Sequence, residues 1–120
     1  MSAETTSFDP AITVFMLVKT TPEWLRLSAP QRADLLAETI EPLLRKHRED
    51  VRLRLYDIEF YATRVTDLWL WEARTHRAYQ RLVEDLRDTP FWDRYFAIVE
   101  ILPSVETAYL RDDGRVASRL

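Results

Sequence analysis

The amino-acid sequence predicts an α+β domain of the ferredoxin-like type, ordered βαββαβ, with a four-stranded antiparallel sheet carrying helices on one face. Three observations lead there. Four runs of strand length are apolar or alternate with a two-residue period. Helical periodicity appears between the first and second of them and again between the third and fourth. A chain of 120 residues has the length of one domain.

The first run, Ile12 to Val18, is apolar and β-branched, the pattern of a strand covered on both faces. Thr21-Pro22-Glu23 then supplies a cap, a proline at the first helical position and an acid in the first turn. A short helical turn through Trp24, Leu25 and Leu27 follows. Ser28-Ala29-Pro30-Gln31 opens a longer helix, with the apolar stripe Leu36, Ile40, Leu43, Leu44 and His47. Pro42 interrupts that stripe and predicts a bend, because it lacks an amide donor. Lys46, His47 and Arg48 complement the dipole at its end, and His47 is expected to be structural.

Val51 to Phe60 alternates, with Val51, Leu53 and Leu55 on one face and Arg52, Arg54, Tyr56, Ile58 and Phe60 on the other. Asp67 to Glu72 alternates in turn and reads as its hairpin partner. The second helix is predicted from Arg74 or Thr75 to Arg87, burying Tyr79, Leu82, Val83 and Leu86. Phe91-Trp92 forms an aromatic connector. Tyr95 to Leu102 is the last strand, expected to stop at Pro103. Residues 1–10 read as a flexible arm, 11–109 as the domain and 110–120 as a polar tail.

Composition narrows the chemistry. The chain has no cysteine, which excludes disulfides, thiolate metal sites and a cysteine nucleophile. It has one glycine, Gly114, and so no glycine-rich phosphate loop. A net charge of −3 argues against nucleic acid, whose phosphates need a concentrated basic face. No apolar run reaches the roughly 20 residues of a membrane span, and the N-terminus lacks signal-peptide character, so a cytoplasmic location is expected. Two histidines 29 positions apart, His47 and His76, give no metal-ligand spacing. Neither a metal nor an organic cofactor is expected.

Four tryptophans, five tyrosines and five phenylalanines need either a core or a lined cavity. Alternation places Arg54 with Tyr56, and Asp67 with Trp69 and Trp71. Trp69, Trp71, Tyr56 and Phe60 are expected together on the sheet face away from the helices. A second copy would cover so apolar a face, giving a dimeric α/β barrel.

The expected catalytic groups are Arg54 for an enolate oxygen, Tyr56 as a proton donor, His76 as a general base, and the acids Asp67 and Glu100. Trp69, Trp71, Phe60 and Tyr79 are the expected substrate-binding residues. The competing reading makes the same groups an arginine–acid pair beside packing tryptophans at a dimer interface. For His76 it is a surface histidine at a helix start, and for Glu100 an ion pair with a neighbouring arginine.

Several words of the sequence together resemble the darcynin family. They are Thr13-Val14-Phe15, Thr21-Pro22-Glu23-Trp24-Leu25, Leu53-Arg54-Leu55-Tyr56-Asp57-Ile58-Glu59-Phe60, Thr66-Asp67, Trp71-Glu72, Leu86-Arg87-Asp88-Thr89, Tyr95-Phe96 and Ile101-Leu102-Pro103-Ser104-Val105-Glu106. The resemblance runs from about residue 13 to residue 107 and implies a ferredoxin-like dimer. It brings no catalytic residues with it. The architecture is also similar to cofactor-free cyclases, isomerases and monooxygenases of polyketide and aromatic metabolism, a likeness of fold alone.

The expected function is therefore a cofactor-independent cyclase, dehydratase or isomerase acting on a polyketide-like or aromatic metabolite. The alternatives are a non-catalytic dimer that binds a small ligand or partner, and a cofactor-free monooxygenase.

Overall fold

The computed structural model describes residues 9–107. The first eight residues and those beyond 107, Gly114 among them, lie outside it. Four strands form one antiparallel sheet in the order β2-β3-β1-β4. They are β1 (Ile12–Thr20), β2 (Val51–Asp57), β3 (Asp67–Ala73) and β4 (Phe96–Ser104). Helices α1 (Pro22–Leu25), α2 (Ala29–Leu35), α3 (Glu41–His47) and α4 (His76–Arg87) complete the βαββαβ order, and core packing places them on one face.

The cap signals at Thr21 and Ser28 are used as read, and Thr75, expected at or near the first residue of its helix, is the cap of α4. Thr21 caps α1 by accepting from the Trp24 amide. At α2, the Ser28 hydroxyl accepts from the Gln31 amide while Gln31 Oε1 accepts from the Ser28 amide, a reciprocal pair that satisfies two otherwise orphaned donors. Thr75 caps α4 in the same way, accepting from Ala78.

Pro42 stands where the helix changes type. The backbone passes through a π-helical turn, Leu36–Ile40, before α3 begins at Glu41. Proline has no amide to bond back up the helix, and its ring crowds the carbonyl four residues earlier. Widening the preceding turn relieves both.

The core lies where alternation meets register. Val14, Met16 and Val18 of β1 pair with Trp71, Trp69 and Asp67 of β3. The side chains of that row point to the helices, where Leu82 and Leu86 of α4 meet them, and Leu82 is fully buried. His47 closes the far side, its Nε2 lying 2.6 Å from Asp85 Oδ2, with Lys46 Nζ 2.9 Å from the same oxygen. This is the structural role expected of His47. The Lys46 hydrogen bond, and then that of His47, hold the Asp85 carboxyl below the usual carboxylate range.

Two strand ends differ from the expectation by several residues or in how they meet a proline. β2 ends at Asp57, because the chain turns over Ile58–Ala62, where the Tyr61 and Ala62 amides both donate to the Ile58 carbonyl. β4 continues through Pro103 to Ser104. It is an edge strand, and proline is tolerated where its missing amide would face away from the ladder. Phe91 and Trp92 belong to a turn in which Asp93 takes φ 73°, a left-handed conformation that aspartate tolerates better than most residues.

Leu82→Ala is expected to lower stability by about 2–5 kcal/mol, because it leaves a cavity between α4 and β3. Chemical denaturation with an unchanged m-value checks this.

Candidate functional site

A cavity of about 690 Å³ lies between the helix layer and the sheet. Its floor is Trp69 and Trp71 of β3 with Leu53 and Leu55 of β2, four side chains brought together because Leu53 pairs with Trp71 and Leu55 with Trp69. Its roof is Ala33 of α2 with Leu36 and Ile40 of the π-turn. Space remains there because α2 buries none of its residues against the sheet. Leu36 and Leu55 line the cavity yet keep 39% and 63% of their surface exposed, so the mouth opens between the π-turn and β2.

An aromatic cluster forms the inner wall. Trp24 packs on Phe91, Tyr95 and Phe96 at centroid distances of 5.5, 5.5 and 5.1 Å, and Phe96 lies 5.1 Å from Trp69. Arg32 braces this wall. Its guanidinium sits 5.5 Å over the Trp24 ring, and its Nε donates to the Trp24 carbonyl at 3.2 Å.

The rim is acidic. Asp57 and Asp67 are directly paired across β2 and β3, so both carboxyls project to the cavity side, and Glu59 joins them. Burial pushes the Asp67 carboxyl above its ordinary value. The Thr66 hydroxyl opposes that shift, while the charges of Asp57 and Glu59 and a hydrogen bond with Asp57 reinforce it. Asp67, with its raised proton affinity, is the rim group suited to donate as well as accept.

The expected constellation is divided by the sheet. Asp67, Trp69 and Trp71 face the helices, not the open side. Arg54 and Tyr56 face the open side, because Tyr56 pairs with Leu68 and Arg54 with Leu70, the even-numbered set of β3. There Arg54 is exposed and lies 3.7 Å from Glu72, which Arg52 holds at 3.0 Å. Phe60 lies beyond the strand end, 73% exposed and in edge contact with Tyr61. Glu100 is exposed and paired with Arg64 at 3.4 Å, the ion pair that competed with catalysis for it.

His76 is exposed at the first position of α4 and does not line the cavity. Tyr79 packs against the core, where burial raises its phenol, and it too stands outside the cavity lining. The single aromatic-lined interior on the open face is thus replaced by a core-side cavity and a mostly aliphatic outer face.

The cavity also takes in Arg32, Trp24 and Phe96, which no local pattern in the sequence marks. It takes in Asp57 and Glu59 as well, whose shared parity opposite Tyr56 marks them as candidate carboxylates, with an arginine ion pair as the competing reading. Among the described residues no group of three or more histidine, aspartate or glutamate side chains is placed to hold a metal ion, and no helix is long and apolar enough to cross a membrane.

Ionisation of Asp67 opposes folding. The folded state keeps its proton to higher pH than the unfolded chain, so this contribution to stability is lost as pH rises from about 4, the ordinary aspartate value. Asp67→Asn is therefore expected to raise the melting temperature at neutral pH. The advantage shrinks to nothing below about pH 4, and thermal unfolding across a pH series checks it.

Comparison with known proteins agrees with this fold. The family model Darcynin, described as a domain of unknown function, matches residues 1–119. A Darcynin homolog from Granulibacter bethesdensis is 66% identical over 111 residues, covering 92% of this chain and 90% of its own. One from Streptomyces avermitilis is 51% identical over 106 residues, covering 88% of each. Among solved structures, chlorite dismutase from Candidatus Nitrospira defluvii in complex with imidazole superposes with a TM-score of 0.67 at 17% identity. That match covers 82% of this chain and 41% of the other, so the chain spans less than half of that structure's length and the likeness is one of fold.

Proposed function

The chain belongs to the Darcynin family, and we propose that it is a cofactor-independent acid–base enzyme that works on a small apolar carbonyl compound in the helix-side cavity. The observation carrying this reading is the Asp57–Asp67 pair. A desolvated carboxyl with a raised proton affinity faces a second carboxyl at the edge of an aromatic chamber. Proton transfer at a carbon next to a carbonyl needs one group to take the proton and another to donate toward the developing oxyanion. The paired carboxyls can divide these tasks, with Asp67, whose proton affinity burial raises, donating toward the oxygen and its neighbour taking the proton from carbon. Trp69 and Trp71 hold the ring of the substrate and keep water from the reacting carbon.

This reading keeps the reaction class expected from sequence, that of a cyclase, dehydratase or isomerase, and moves it. Asp67, Trp69 and Trp71 stay in the site. Arg54, Tyr56 and Glu100 leave it for the opposite face, and Phe60, His76 and Tyr79 have no part in it. A role in bacterial specialised metabolism fits an apolar aromatic substrate.

The test uses a neutral aryl β-diketone, benzoylacetone, in deuterium oxide. The protein is expected to accelerate exchange of the proton between the carbonyls, read by proton NMR. Asp67→Asn is expected to lower that acceleration by about a hundredfold or more. Binding of the diketone with no exchange would leave a ligand-binding protein and remove the enzyme.

We further propose that a second copy covers the open face and makes the dimeric α/β barrel. Phe15, Leu17, Leu68 and Leu70 occupy its centre, with Leu102 44% exposed beside them. Charge selects the arrangement. A twofold axis along the strands sets Arg54 on β2 near Glu100 of the partner subunit on β4, whereas an axis across the strands sets Arg54 against its own copy. Light scattering on a sizing column is expected to give twice the chain mass. Leu70→Glu is expected to give one chain mass with the fold retained, and a monomeric parent chain would refute the dimer.

A further inference from the structure

The roof of the chamber lacks the burial that fixes the other helices. No residue from Leu25 to Pro42 is buried, whereas Trp24 before that stretch and Leu43 after it both are. Helices α1, α3 and α4 each bury at least one side chain, but α2 and the π-turn bury none. Among the described residues, the side-chain hydrogen bonds of α2 run to its own start and to α1, not to the sheet. Ser28 and Gln31 bond to each other, and Arg32 reaches the Trp24 and Leu25 carbonyls at 3.2 Å each. A segment with so few buried contacts opens at a low free energy compared with the core.

Both ends of this stretch can pivot. Residues 26–28 join α1 to α2 outside regular helix, with Ser28 in extended backbone. At the other end the Glu41 amide donates to the Leu36 carbonyl five residues back, and Pro42 follows with no amide to donate. Helices kink at prolines and at π-turns. Arg32 holds the near end of α2 to the Trp24 wall, so the larger displacement falls at Leu36.

The two lips of the mouth are apolar and keep their surfaces in water. Leu25, 58% exposed, joins Leu36 on the roof side, and the exposed Leu55 belongs to the floor. Bringing the lips together removes apolar surface from water. Over an empty chamber, that closure leaves a void whose lining has no atoms to pack against. An apolar ligand removes this obstacle, because it touches floor and roof together in the closed form and the floor alone in the open form. Such a difference in affinity is what allows a ligand to shift a conformational equilibrium.

We infer that α2 and the π-turn form a lid that closes over an apolar aromatic ligand, pivoting at residues 26–28 and before Pro42 and carrying Leu36 onto Leu55. A closing roof deepens the proposed function, because it keeps water from the reacting carbon, and it rests on that reading only for where the ligand binds.

The probe is N-phenyl-1-naphthylamine, a neutral apolar fluorophore without a carbonyl group. In the free wild-type protein, the amides of α2 and the π-turn are expected to exchange with deuterium about a hundredfold faster than those of α4, and to slow on saturation with the probe. Because the chain has no cysteine, Leu36→Cys with Leu55→Cys reports closure alone. Its disulfide is expected to form about tenfold faster with the probe than without it. Once formed, it is expected to slow probe release about tenfold, until a reductant opens it.

Cross-linking at the same rate with and without probe overturns the lid. So do roof amides as protected as those of α4 in the free protein, a measurement that stands if the double variant does not fold. A protein that does not bind the probe also overturns it, since the roof then has nothing to close on. Diketone exchange by a protein whose roof stays still removes the lid alone. A roof that closes on the probe, with no diketone exchange, removes the enzyme alone.

Discussion

The pairing register of β2 with β3 decides what each face of this sheet can do, and a single residue, Thr66, pins it. The Thr66 carbonyl accepts from both Ile58 and Glu59 amides, at 2.8 and 3.0 Å, closing the loop at the end of β2. Its own amide donates to the Val18 carbonyl at 2.9 Å, and its hydroxyl accepts from the Thr20 amide at 2.9 Å, fastening the same point to β1. Asp57 then stands opposite Asp67, and every odd residue of β2 stands opposite an odd residue of β3. A slip of β2 by one residue, with β3 held on β1, would carry Leu53, Leu55 and Asp57 to the outside and bring Arg54 and Tyr56 in.

That register also explains which parts of the structure were legible in the sequence. The element order and the caps at Thr21 and Ser28 rest on local chemistry that a few neighbouring residues determine. The separation of the two faces does not. Alternation shows that Arg54 and Tyr56 share a side, and that Trp69 and Trp71 share a side, but not that the sides differ. The difference comes from Thr66 and from the turn that ends β2 at Asp57, and a regular strand through Phe60 hides both. The cavity itself is a tertiary gap left by α2 and the π-turn, and no periodicity of one segment announces it. Pro103 misled for a related reason, since its tolerance depends on β4 being an edge.

The sheet thereby divides the work of a small domain. On the helix side, aromatic residues form a rigid wall braced by Arg32, and the titratable groups crowd at one rim. On the other side, aliphatic residues hold the centre and ion pairs such as Arg52–Glu72 and Arg64–Glu100 stand around it. Surface ion pairs of this kind add little to stability. They stand on the face away from the helices, whereas the partly buried Asp67 stands on the helix side. Among the described residues, Trp24, Trp69, Trp71, Phe91, Tyr95 and Phe96 gather on the helix side, whereas Phe15 and Tyr56 stand on the other.

The π-helical turn over Leu36–Ile40 gives the roof an unusual form of adaptability. A π-turn accommodates one residue more than the α-helical turn it replaces, so removing a single residue there would restore regular helix without breaking it. The residues on either side would keep their facing, so the change would fall on the turn itself, where Leu36 or Ile40 gives way to a neighbour over the chamber. One codon gained or lost at this place can resize the chamber while the sheet beneath stays untouched. A lineage holding this scaffold would have a short mutational route from one ligand to the next.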